Sequence, residues 1–107
     1  RIQTGTASWY SEASCKREGT SGIWTANGDR FLDDGLTCAM PHRRFGGRYR
    51  VCRADNPAIC VTVRHNDYGP NKKLAAQGRI VDLSKGAFAQ LASLKRGLLE
   101  ITVEAVE

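Results

Sequence analysis

Three aspartates stand where a carboxylate could do acid–base work. Asp67 follows the alternating run Val61, Thr62, Val63, Arg64, His65, Asn66 and precedes the break at Gly69-Pro70. Asp82 closes the short apolar run Ile80-Val81, just ahead of Leu83-Ser84. Asp29 comes directly after Asn27-Gly28, a strong turn signal. A carboxylate at the end of a strand is held by a rigid scaffold yet can reach solvent and substrate. Such a group can give and take a proton. The plainer reading makes Asp67 a turn former and Asp82 an acid at the start of a helix. By alternation Asp67 shares the face of Val61, Val63 and His65, and Arg64 lies on the other. Positive charge beside a general acid opposes its work, so Arg64 and His65 are in tension with that role. His65 reads as a satisfied, half-buried residue.

The elements that must position these groups are mostly strands. Ile2 to Tyr10 reads as a first strand, with Gly5 marking a bulge or a close backbone approach. Ser11 to Gly22 reads as a loop pinned by Cys15, and Asp33-Asp34-Gly35 as a turn. Leu36 to Met40 fits a short strand or one helical turn, and Pro41 to Gly47 a basic loop. Arg48 to Cys52 and Ile59 to His65 are the clearest strands, and Asn71 to Gly78 reads as a loop. Ser84 is a good N-cap for a helix carrying Ala87, Phe88, Leu91, Ala92 and Leu94, with Gly97 to end it. Leu99, Ile101, Val103 and Ala105 alternate with polar residues as a last strand. Many short strands with one clear helix predict a small, mostly β barrel.

Length and composition bound the possibilities. The 107 residues suffice for one domain spanning 1–107 and not for two. With 25% charged and 41% hydrophobic residues the balance is that of an ordinary globular chain. No apolar run approaches the roughly 20 residues of a membrane span. No signal peptide is visible, and Arg1 is not an initiator methionine, which leaves room for an upstream segment. The net charge is +5, and Arg43, Arg44, Arg48, Arg50 and Arg53 crowd one region. Such a cluster suits a polyanion, either nucleic acid or an anionic envelope; otherwise it is a solvated face.

The four cysteines form no C-x-x-C pair, and the two histidines are not spaced as zinc partners, so no structural zinc site is expected. An even count in a small basic domain favours disulfides and an oxidising compartment. Cys52 shares the parity of Arg50, and Cys60 that of Thr62 and Arg64. Both point to the outer face of adjacent strands, so Cys52–Cys60 is expected as a cross-strand bridge. That leaves Cys15–Cys38 as the second.

Four motifs in order carry a resemblance. Gly5 to Tyr10 (G-T-A-S-W-Y), Thr25 to Asp29 (T-A-N-G-D), Val61 to Pro70 (V-x-V-x-x-N-D-x-G-P) and Gly78 to Ser84 (G-R-I-V-D-L-S) resemble the RlpA-like (rare lipoprotein A) family. That resemblance spans almost the whole chain. It implies a six-stranded double-psi β-barrel with one or two short helices, a fold shared with expansins, barwin and family-45 endoglucanases. The implied activity is that of a lytic transglycosylase, a non-hydrolytic lyase that cuts peptidoglycan glycan strands and leaves 1,6-anhydro-muramic ends. The family's catalytic aspartate maps to Asp67, and a second functional carboxylate to Asp29. The expansin likeness adds Ser8, Asp67 and Asp82. The sequence departs from the pattern at Ser11, where the family has glycine, at Tyr68, where it has arginine, and at Thr37-Cys38-Ala39-Met40, where the family's histidine gives way to Met40. His42, two residues on, is the candidate substitute.

Several expectations follow from the resemblance. Sugar binding needs flat apolar faces with polar edges, and Trp9, Tyr10, Trp24 and Tyr68 supply them. Alternation puts only one of Trp9 and Tyr10 on the groove side, and the resemblance favours Tyr10. The substrate-binding set is then Ser8, Tyr10, His42, Tyr68 and Asp82. No cofactor or metal is called for, because a muramic 6-hydroxyl can attack its own C1 while one carboxyl acts as acid and then as base. The expected partner is peptidoglycan, with peripheral contact to an anionic envelope surface, no nucleic acid, and a monomeric state in a periplasmic or secreted setting. The alternative is a non-catalytic, expansin-like module that grips and loosens wall polysaccharide. A family-45 endoglucanase fits poorly, since the cysteine-rich motif around its catalytic aspartate is absent.

Overall fold

The computed structural model describes residues 2–13 and 24–106. Six strands run along the chain: β1 (Ile2–Tyr10), β2 (Thr37–Met40), β3 (Arg48–Arg53), β4 (Cys60–Tyr68), β5 (Arg79–Ser84) and β6 (Leu99–Val106). They close into a barrel in the order β1-β5-β2-β4-β3-β6. The β1–β5 and β2–β4 pairs are parallel, and the other four are antiparallel. This is the mostly β, double-psi barrel that the motifs imply. Among the described residues two short helices pack on it, α1 (Lys72–Ala76) and α2 (Lys85–Leu91), with a 3₁₀ turn at Leu94–Arg96.

The core follows from alternation. Val61 and Val63 of β4, Val81 and Leu83 of β5, and Leu99, Ile101 and Val103 of β6 are buried inside the barrel. Their polar neighbours face out. Helix α2 closes one side by laying Ala87, Phe88 and Leu91 against that core. The Ser84 hydroxyl caps it, accepting from Ala87 N at 3.2 Å. Gly5 marks the close approach expected of it. A Cβ there would meet the Gly78 carbonyl at 2.8 Å, where β1 first meets β5.

Two local readings change. Residues 72–76 form α1 rather than a loop, because Asn71 Oδ1 accepts from Leu74 N and nucleates a turn. Helix α2 ends at Leu91, not at Gly97. Ser93 caps the separate 3₁₀ turn by accepting from Lys95 N, and Gly97, at φ 70°, ends that turn instead.

The Cys52–Cys60 bridge is present, between residues directly paired across β3 and β4. Closing so short a loop removes about 2–3 kcal/mol of unfolded-chain entropy. The Cys52→Ser/Cys60→Ser double variant is expected to melt roughly 10 °C or more below wild type. Its fold at room temperature should be retained, and calorimetry with circular dichroism tests both halves. Cys38 is a free thiol, fully buried on the inner face of β2; Cys15, its expected bridge partner, lies outside the described residues. Inside the barrel, burial pushes the Cys38 thiol up to about 12, with the charge of Asp82 adding to the rise. A thiol in that environment behaves as a small apolar core residue.

Candidate active site

The register brings together residues far apart in the sequence. Ser8 of β1 pairs with Asp82 of β5, Asp82 pairs with Ala39 of β2, and Ala39 pairs with Asp67 of β4. Directly paired residues share a face, so Ser8, Asp82, Ala39 and Asp67 form one row across four strands. Strands lie about 4.8 Å apart, which puts the two aspartate Cα atoms roughly 10 Å from each other. Ala39, the smallest side chain in the row, is buried, and Gly69 lies over it, close enough that a Cβ there would meet Asp82 Oδ2 at 3.6 Å and Ala39 Cβ at 3.8 Å.

A bulge makes this row possible. Cys38 pairs with His65, but the next residue of β2, Ala39, pairs with Asp67. Asn66 is therefore the extra residue, and the alternation of β4 inverts after it. Asp67 thus leaves the inward face of Val61, Val63 and His65, where simple alternation placed it, and joins the outward row. His65 stays inside, fully buried. Its Nε2 meets the Asp67 backbone carbonyl at 2.8 Å, and its Nδ1 the Arg44 carbonyl at 3.2 Å. The imidazole anchors the backbone behind Asp67 and does not reach its carboxylate.

The Thr25–Asp29 loop docks on the same strand end. The Asn27 amide donates to the Asn66 carbonyl at 3.2 Å, and Asn27 Oδ1 accepts from the Asp29 amide at 3.0 Å. Gly28, at φ 93°, provides the left-handed step that the turn needs. The docked loop aims its Ala26 amide at Asp67 Oδ1, at 3.0 Å, and Tyr68 N donates to the same oxygen at 2.9 Å. Among the described residues no group donates to Asp67 Oδ2. One oxygen is therefore fixed by the backbone, and the other is left for chemistry.

Asp29 has a different environment. Its Oδ2 accepts from Arg64 Nη2 at 2.6 Å and from Asn66 Nδ2 at 3.3 Å. The Arg64 bond lowers the Asp29 pKa below its ordinary value, outweighing the opposing effect of burial. The cation that stood in tension with Asp67 is thus turned onto Asp29. The pair pins the loop that carries the Ala26 amide.

On the other side of Ala39, the Ser8 hydroxyl donates to Asp82 Oδ1. Arg79 Nε donates to Ser8 Oγ at 3.0 Å and lies 3.6 Å from Asp82 Oδ1. A groove of about 420 Å³ opens beside this trio, lined by Ser8, Trp9, Ser11, Arg79, Leu94, Gly97 and Leu98. That volume falls within the roughly 300–1,000 Å³ of small-ligand sites.

The remaining candidates spread around the row. Tyr10 lies on the face of Ser8, two pairs further along, and stacks on Phe31 with centroids 4.8 Å apart. Trp9 turns to the opposite face and donates from Nε1 to the Leu94 carbonyl at 3.0 Å. Tyr68 carries the Arg43 guanidinium over its ring at 4.4 Å, so its aromatic face is partly covered. Trp24 is exposed, beside the bridge to Arg30 that closes the Thr25–Asp29 loop. His42 packs edge-on against His65, with centroids 4.6 Å apart. Burial, followed by His65 and Arg44, lowers the His42 pKa, so its ring is neutral at neutral pH. Its Nδ1 accepts from the Arg44 amide at 3.2 Å. Met40 and Ser11 are both buried.

The arginine cluster is divided rather than pooled. Arg50 pairs with Glu104 at 2.7 Å, Arg53 with Asp55 at 2.8 Å, and Arg43 covers Tyr68. Among the described residues no group of three or more His, Cys, Asp and Glu side chains converges as a metal site. Among the described residues no helix is long and apolar enough to cross a membrane.

Sequence reasoning did not single out Arg79, Ala39 or Asn66. Arg79 was in plain view in the G-R-I-V-D-L-S motif, three residues before Asp82. The other two matter through register, which no single stretch displays.

Comparisons of sequence point to one family. The model of the family described as lytic transglycolase matches residues 2–103. A probable endolytic peptidoglycan transglycosylase RlpA from Synechocystis sp. is 36% identical over 107 residues, which is all of this chain and 30% of that protein. The chain therefore spans less than a third of that curated relative's length. Among solved structures, the Streptomyces papain inhibitor superposes with a TM-score of 0.72 at 21% identity, covering 100% of this chain and 96% of the inhibitor. An expansin from Clavibacter michiganensis, solved with cellohexaose, gives 0.69 at 18% identity, covering 100% of this chain and 51% of the expansin. At those identities the two structures speak to the fold alone.

Proposed function

This chain belongs to the lytic transglycolase family, and we propose that it is a single catalytic domain that cleaves peptidoglycan glycan strands without hydrolysis. The observation that carries the reading is the row in which Asp67 and Asp82 flank the small residue Ala39. In its protonated form Asp67 gives the Oδ2 proton to the glycosidic oxygen leaving C1 of muramic acid. The C1–O bond breaks, and positive charge develops on the sugar ring. The sugar's own 6-hydroxyl then bonds to C1 and passes its proton back to Asp67. The products are a 1,6-anhydro-muramic end and a free 4-hydroxyl, with no water consumed. Asp82 faces the charged ring as the second carboxylate. Ser8 orients it, and Tyr10 and Tyr68 flank the bound strand. His42 serves at the rim in place of the family's histidine.

Asp29 is reassigned within this reading from proton transfer to holding the loop. A carboxyl with a lowered folded pKa contributes its interaction fully above its ordinary value of 3.8, and loses it as pH falls through the lowered value. The Asp29–Arg64 latch is therefore intact throughout the pH range above about 4. Asp29→Asn should reduce turnover by less than about tenfold and leave the acidic limb of the rate–pH profile in place. A limb that moved, or a loss equal to that of Asp67→Asn, would return Asp29 to proton transfer.

The setting consistent with this substrate is the cell envelope, periplasmic or secreted, with the chain acting as a monomer. Arg44 and Arg48 are the members of the basic cluster best placed for peripheral contact with an anionic wall or membrane. Such contact between exposed charges is screened within about 8–10 Å at physiological salt. Attachment to sacculi should therefore weaken as salt rises, and an unchanged pull-down at high salt would make these arginines ordinary surface.

The decisive test is incubation with purified sacculi, intact and stripped of stem peptides, followed by mass spectrometry. Release of anhydro-muramic products supports cleavage. Binding with no soluble product supports the expansin-like reading, which the shared barrel and the Ser8–Asp82 pair keep as the second choice.

A further inference from the structure

We propose that Arg79 is a positioning residue that fixes the direction of the Ser8 hydroxyl and, through it, the orientation of Asp82. This rests on the reading of Asp82 as the second carboxylate of the site. Arg79 Nε–H points at Ser8 Oγ from 3.0 Å. An arginine can only donate, so it occupies a lone pair of the hydroxyl. The serine proton is then directed away from the guanidinium, and it goes to Asp82 Oδ1. Without Arg79 the hydroxyl could rotate, and Asp82 would lose a fixed donor together with the cation 3.6 Å away.

The local backbone places the arginine for this purpose. Thr6 pairs with Arg79, but Ala7 pairs with Val81, so Ile80 is an extra residue in β5. The alternation of β5 therefore inverts after Arg79, and the i to i+3 spacing brings Arg79 and Asp82 onto one side. The arrangement also bears on the neighbouring groove, since Ser8 and Arg79 both line it. A strand lying there would meet a hydroxyl and a carboxylate already set in direction, which is how a site avoids reorganising as charge develops.

The test uses the folded protein and soluble glycan strands. Arg79→Met is expected to lower kcat by about 10–100-fold while KM stays within about twofold, because the side chain acts on Asp82 rather than gripping sugar. Arg79→Lys keeps a donor and a charge, and should recover part of that loss. Ser8→Ala combined with Arg79→Met should cost little more than either change alone, since both break one chain of contacts. A wild-type kcat in Arg79→Met, or fully additive losses in the double variant, would overturn the proposal. A second readout does not depend on activity. The carboxyl carbon signal of Asp82 should move in Arg79→Met at fixed pH, while that of Asp67 should not. If the wild-type protein released no anhydro-products, the functional reading would fail, and the NMR comparison alone would decide. An unmoved Asp82 signal would then refute the positioning role.

Discussion

Asp67→Asn is expected to abolish glycan cleavage, with turnover falling by at least about 100-fold, while the fold stays intact. The substitution keeps the side chain's size. Its remaining oxygen can still accept from the Ala26 and Tyr68 amides, now at 3.0 and 2.9 Å from Oδ1. The Thr25–Asp29 loop should therefore stay docked. What is lost is the oxygen that gives a proton to the leaving group and recovers one from the 6-hydroxyl. A 100-fold loss is about 2.7 kcal/mol of transition-state stabilisation. The assay is release of anhydro-muramic products from soluble strands, with melting temperature and strand binding measured alongside. A folded Asp67→Asn protein working at the wild-type rate would remove Asp67 from the mechanism. With it would go the main physical reason for assigning lytic chemistry to this barrel.

Asp82→Asn should produce the next largest loss, about 10–100-fold in kcat with binding largely retained. Asparagine can still accept from Ser8, so the row keeps its shape. It carries no negative charge to face the ring as positive charge builds at C1. The effect should appear in turnover rather than affinity, since neutral ground-state sugar gains little from that charge. The same pair of variants separates the two functional readings. A loosening module would release no product even as wild type, and both substitutions would weaken its action on the wall equally. A drop in binding without a change in kcat would show Asp82 to be a simple contact residue.

Much of the barrel was legible because period-two alternation reports strands directly. Arg48 to Cys52, the β4 run and Leu99 onward all form strands, and the parity of Cys52 and Cys60 led to their bridge. Parity misled at Asp67 for a definite reason. Alternation assumes an unbroken strand, and the bulge at Asn66 inverts it one residue before the carboxylate. The environment of Cys38 escaped the sequence for a related reason. Elimination assigns a partner to every cysteine, but it cannot see that Cys38 faces a closed apolar interior. Helix α1 escaped notice because its five residues bury no side chain, so no apolar stripe announces it. The candidate site was readable as a set of residues but not as an arrangement. Asp29, Asp67 and Asp82 look equivalent in the chain. Arg64 sets the first apart, and Ala39 joins the other two.

The row of Ser8, Asp82, Ala39 and Asp67 also constrains how the protein comes to life. Each member is on a different strand, and the first two are 74 positions apart. No fragment lacking any one of those strands contains the site, and no early hairpin can preview it. Long-range pairings of this kind are made late, and all-β topologies that depend on them fold in milliseconds to seconds. Regained activity after dilution from denaturant should accordingly follow the slowest structural probe, with no active intermediate ahead of it. A nascent or partly folded chain would be harmless to glycan, and the closed barrel would serve as its own safety catch.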